Sequence, residues 1–234
     1  MVTPLSVRRP LETAYVRRVL FALQVLDGVT LAGVSQGLKV TAAGLAGKPI
    51  VNSSGLFVWL QEGNRTPQGV EIEPGELPFL KATLTAAELH VPAPPPPDQR
   101  PRLIPVELAP RRDYPFGAGV TGVRGTLVRL GTENPPVPVA GAAVWLRWID
   151  DNANGTTWAD APTRSATDSN GDFAAALRLS PAQVPRLDAS GRVRLRLCVD
   201  RAALGTKASP EFQQSPGRVA DARSPFVWDQ FSQP

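Results

Sequence analysis

From Arg192 to Val199 every second residue is apolar: Val193, Leu195, Leu197 and Val199 alternate with Arg192, Arg194, Arg196 and Cys198. Successive side chains of an extended chain point to opposite faces, so this stretch is a strand with one face in a core and one turned outward. A strand needs neighbours, and the rest of the chain supplies them. "GVRGTLVRL", "AVWLRWID" and "FAAALRL" read as further strands in the second half, and "NSSGLFVWL" in the first places Phe57 and Trp59 on one face. The punctuation between them is turn chemistry. Pro occurs 25 times and Gly 20 times in 234 residues, a pattern of short strands and turns.

One segment is ambiguous. In "AYVRRVLFALQVLDGV", Val16, Val19, Leu20, Leu23 and Leu26 fit a helical face, whereas Val19, Phe21, Leu23 and Val25 fit a strand. The "DGVT" turn that follows, and the alternation around Leu38 and Val40, favour the strand. "PAPPPPDQRP" suits an extended polyproline loop, and the strand-like "RLIPVELAP" after it needs a sheet to join. The Pro-rich loop 92–101 is therefore expected inside a first domain of residues 1–112. The second domain spans 113–234, with a polar, Pro-interrupted tail from about residue 206. The stretch from Trp148 to Phe173 reads as a hairpin joining two strands. "NSSGLFV" and "DSNGDFA" echo each other, as two copies of one small sandwich would.

The motif "VaGAAV" at Val139–Val144, followed by "TDSNGDF" at Thr167–Phe173, resembles the carboxypeptidase regulatory-like, transthyretin-like β-sandwich family. The resemblance runs from about Thr121 to Val199 and is looser in the first half. It implies two tandem immunoglobulin- or transthyretin-like sandwiches, all-β, of the accessory or structural kind. As a whole the chain also resembles accessory structural proteins of phage-tail-like contractile injection systems. That implies a baseplate, collar or cap component whose partners are other protein subunits of the particle.

The residues offer little chemistry. With one His and one Cys, an internal disulfide is impossible and a Ser-His-Asp site is unpromising. No phosphate loop or nucleophile elbow is present. No catalytic residue and no cofactor is expected, and the chain reads as non-enzymatic. The net charge is +4, and the Arg pairs are scattered, so nucleic acid is not an expected partner. No 18-residue apolar run spans a membrane, and no signal peptide is recognised. Synthesis in the cytoplasm and assembly into a particle that is later released follow from that reading.

Three features remain. Asp150, Asn152 and Asn154 open like a calcium loop, but position 12 is Ala161 where a bidentate Glu belongs; a turn accounts for them, and no metal site is expected. Trp145, Trp148 and Trp158 pack in a core or, alternatively, form a platform for carbohydrate or protein on a surface-attached or secreted binding module. A third reading, an enzyme accessory subunit, comes from the family's occurrence beside peptidase domains. Phe226, Trp228 and Phe231 either close the second sandwich or dock on a neighbour. With Arg192, Arg194 and Arg196 they are the candidate interface.

Overall fold

The computed structural model describes residues 18–92, 100–131, 135–150, 157–202 and 205–234. The chain is all-β and builds two tandem β-sandwiches. The first contains β1 (Val19–Asp27), β2 (Lys39–Ala43), β3 (Ile50–Val51), β4 (Phe57–Leu60), β5 (Gly69–Glu73), β6 (Ala82–Thr85), the helical turn α1 (Ala86–Leu89) and β7 (Arg102–Leu108). One sheet runs β3-β4-β1-β7 and faces a second, β2-β5-β6. The ambiguous first segment is a strand because it has a partner on each side. Phe21, Leu23 and Val25 turn inward at period two, and the Phe21 ring stacks on Trp59 at 4.7 Å.

The strand after the Pro-rich loop joins this sheet as expected. β7 pairs in parallel with β1, from Phe21↔Arg102 to Asp27↔Leu108. It is the edge strand, which is where Pro105, lacking a ladder donor, is tolerated. Residues 93–99 of that loop lie outside the described residues. The turn α1 was not foreseen. Thr85 and Glu88 cap it reciprocally as a capping box, and His90 ends it in the left-handed region at φ 51°.

The second sandwich contains β8 (Thr121–Arg129), β9 (Val137–Pro138), β10 (Ala143–Ile149), β11 (Trp158–Asp160), β12 (Ser165–Ala166), β13 (Asp172–Leu177), β14 (Val193–Arg201), β15 (Gly205–Ala208), β16 (Phe212–Gln214), β17 (Val219–Asp221) and β18 (Phe226–Val227). One sheet runs β11-β10-β14-β15, with β12 also on β10 and β16 on β14. The other runs β13-β8-β17, with β9 and β18 also on β8. Leu127, Val144, Leu146, Trp148, Phe173, Leu195 and Leu197 fill the space between them.

Two expectations are corrected. The Trp148–Phe173 stretch does not join β10 to β13 as a hairpin: β10 pairs with β11 and β12, whereas β13 pairs with β8 in the opposite sheet. The segment from Thr206 is not a polar tail. It carries β15 to β18, and its prolines fall between these strands, so they break the segment into short pieces without excluding it from the sheets.

The echo between the halves is real at the turns. Asn52 Oδ1 accepts from the N–H groups of Ser54 and Leu56, at 3.0 and 2.9 Å. Asp168 Oδ1 accepts from Asn170 and Asp172 at 2.8 and 2.9 Å. A third copy, missed in the sequence, is built on Asp188 and the N–H groups of Ser190 and Arg192. Each ends in a Gly at positive φ, Gly55, Gly171 and Gly191. Above the turns the halves differ. The first turn joins neighbours in one sheet; the second carries the chain between sheets. They share a larger rule: each opening strand, β1 and β8, pairs in parallel with the closing strands of its own sandwich.

Candidate functional site

The expected interface residues fall in two very different places. Arg194 and Arg196 lie on the outward face of β14, as the alternation demands, and Arg192 immediately precedes the strand. Arg194 grips Glu211 with two guanidinium nitrogens, at 2.5 and 2.6 Å. That fork holds the Glu211 carboxyl below its ordinary range. The Arg196 guanidinium lies over the Trp158 ring, 4.4 Å from its centroid, and Arg164 lies over Trp145 at 4.2 Å. Arg147 Nε comes within 2.7 Å of Asp160 Oδ1, but poorly aligned for donation, so the contact is an ion pair and not a hydrogen bond. Arg192 is exposed beside the Asp188 turn.

This geometry decides the tryptophans. Trp148 points inward and is fully buried, and Trp145 is only 8% exposed. The two outward rings, Trp145 and Trp158, each have an arginine on one face. A sugar platform needs open ring faces, and this arrangement offers little of that.

Phe226, Trp228 and Phe231 are the correction. Phe226 pairs its backbone with Leu127 on β8, and Trp228 and Phe231 are buried, at 3% and 6% exposure, in the second core. The Phe226 ring sits against Phe173, Phe212 and Phe231, with centroids 5.7, 6.0 and 6.4 Å away. Leu130 N–H donates to Asp229 at 2.7 Å, and Ser232 exchanges backbone hydrogen bonds with Ala208. The C-terminal aromatics are covered by the chain's own sandwich, Phe226 on β18 and Trp228 and Phe231 at the two ends of the 3-10 turn that follows it, so the segment is a closure and not a docking peptide.

Of the calcium-loop residues, Asp150 follows β10 and makes an isolated antiparallel bridge to Pro185, whereas Asn152 and Asn154 lie outside the described residues. Among the described residues no group of three His, Cys, Asp or Glu is placed to hold a metal ion. The His90 ring donates its Nδ1–H locally, to the Ala87 carbonyl. Cys198 is fully buried beneath Trp145 and Ala208, and burial pushes its thiol up to about 11. That removes the thiolate a nucleophile would need.

A cleft of about 600 Å³ is lined by Arg111, Arg112 and Asp113 from the segment after β7 and by Arg124, Asp168, Asp172 and Asp221 from the second sandwich. Its charges answer one another. Arg111 pairs with Asp113, and Arg112 donates to Asp172 at 2.8 Å and to Thr126 at 3.0 Å. It reads as a charged seam between domains.

The outer faces of the first sandwich differ sharply. The β2-β5-β6 sheet turns outward Lys39, Glu71, Glu73 and Thr83, and nearby Lys81 pairs with Glu71 while Lys39 pairs with Glu73 at 2.7 Å. The other sheet carries Ile50, Val58, Ala22 and Leu103 directly opposite one another across all four strands. Ile50 and Leu103 at its ends are 52% and 49% exposed. Sequence reasoning did not find this row. Its members come from four separated strands, and only pairing register brings them together.

No family model matches the chain, and no curated protein sequence matches it. Among solved structures, the shaft pilin SpaA of Lactobacillus rhamnosus GG is similar over 88% of this chain and 96% of that chain. The identity is 10% and the TM-score 0.24, a likeness too slight to carry an argument. Among the described residues, no helix is long and apolar enough to cross a membrane.

Proposed function

We propose that this chain is a non-enzymatic structural subunit of a multi-subunit particle and acts through protein–protein contacts. The observation that carries the reading is the apolar row Ile50–Val58–Ala22–Leu103. It crosses a sheet face turned away from its own core, while the opposite face of the same sandwich is charged and paired. The ends of the row, Ile50 and Leu103, are about half exposed, whereas Ala22 in its middle is buried; exposed apolar surface on a folded domain marks an interaction site. The kind of particle, a phage-tail-like contractile injection system with this chain at its baseplate, collar or cap, is inferred from sequence resemblance, as is the transthyretin-like character of the second sandwich. Recognition of carbohydrate through Trp145 and Trp158 is the weaker reading, because arginines occupy a face of each ring.

The double variant Ile50→Asp and Leu103→Asp tests it. Both positions are half exposed, so the variant should keep its melting temperature within a few degrees. Co-expressed with the proteins encoded beside its gene, it should no longer co-purify with them, whereas the unaltered chain should. If the unaltered chain co-purifies with none of them, and instead binds a glycan array in a manner abolished by Trp158→Ala, the assembly reading is wrong.

A further inference from the structure

We infer that the two sandwiches are locked into one cooperative body, and that the segment Arg111–Val120 is the pin that locks them. Tandem domains in one chain ordinarily move relative to each other unless their contact is large and apolar. Every described strand pairing stays on its own side of residue 112, so no ladder holds these two together. Side chains do.

The Tyr114 hydroxyl donates to Asp27 Oδ2 at 2.6 Å, in a buried bond between the pin and the end of β1. That carboxylate also accepts from Val29 N–H at 2.8 Å and from the Thr30 hydroxyl at 2.8 Å. Tyr114, Phe116 and Val120 pack on the first core. From the other side, Arg124 of β8 donates to the Tyr114 carbonyl and lays its guanidinium over the Phe116 ring, 5.1 Å from the centroid. The pin is thus gripped by both sandwiches at adjacent residues.

The second contact is β13. Phe173 and Ala175 face the second core, and Ala174 and Ala176 face the other way, yet these two are only 0% and 2% exposed. Ala176 belongs to the first sandwich's core cluster. Methyl side chains on that face let the first sandwich approach closely. Arg178, just beyond β13, donates to the Gly28 carbonyl at 3.0 Å and pairs with Glu107 at 3.2 Å. Hinge motion would have to part the pin from one sandwich or the other, breaking the Tyr114–Asp27 bond or the Arg124–Tyr114 bond and exposing apolar surface.

The test combines calorimetry with distances between spin labels on the full chain. The labels go on Lys48→Cys and Gln213→Cys, both exposed and in different sandwiches; buried Cys198 stays unlabelled. One unfolding transition and one narrow distance distribution are expected. Val70→Ala, deep in the first core, should move the whole transition to lower temperature. The double variant Tyr114→Phe and Arg178→Ala should broaden the distribution at least twofold. The inference is overturned if Val70→Ala shifts only part of the heat and leaves a second transition in place, or if the folded double variant keeps the narrow distribution. Should the double variant fail to fold, the Val70→Ala calorimetry decides alone.

Discussion

Gly125 shows how much a single absent side chain carries. It sits in β8 beneath two aromatic rings. A Cβ built there would lie 3.1 Å from Phe226 and 3.2 Å from Phe173, so the position is a slot for the closing strand. Gly125→Ala should destabilise the protein by about 1–3 kcal/mol through overpacking, read as a lower urea midpoint at unchanged slope. An unchanged midpoint would mean that the rings move aside freely. The turn residues act by a different route. Asp168 spends its carboxylate on two backbone N–H groups, and Gly171 adopts φ 76°, where a Cβ would collide with the Leu127 carbonyl.

Among the elements, β17 and β18 close the second sandwich. They reach β8 through three and two residue pairs, a slender ladder for a structural closure. The anchoring comes from side chains, since Trp228 and Phe231 fill the core. Deleting residues 224–234 should therefore lower the melting temperature by many degrees. Trp228→Ala alone should cost about 3–5 kcal/mol, the general scale for emptying a large aromatic site. Thermal unfolding of both variants checks this. A truncated chain that melts like the intact one would show that the segment only rests on the sandwich.

At the scale of the whole molecule, stability should fall in alkali from two buried acids. Burial raises the Cys198 thiol from 9.0 to about 11, and burial together with the bond to Asp27 raises Tyr114 well above its ordinary value. In both cases the native state holds the proton more tightly than the unfolded chain does. The Cys198 contribution is complete below about pH 9 and is lost as pH climbs to about 11, whereas that of Tyr114 is complete below about pH 10 and is lost at higher pH still. The urea midpoint should be flat from neutral to pH 9 and fall beyond it. Cys198→Ala should move the onset upward. A midpoint that holds steady to pH 11 in the unaltered chain would contradict the buried thiol.

The sequence by itself determined the strands and many of their turns. Val193, Leu195, Leu197 and Val199 face the core because a two-residue period admits no other reading, and Asn52 and Asp168 make turns because their side chains can satisfy the backbone locally. Such signals are complete within a few residues. Tertiary structure alone decided who pairs with whom. It sent β10 and β13 to opposite sheets, drew the C-terminal aromatics inward, laid arginines on the tryptophans, and aligned Ile50 with Leu103 across four strands. Each outcome depends on contacts between residues tens of positions apart. The free energy of such contacts comes from shared burial, and one stretch of sequence read alone carries only half of each pair.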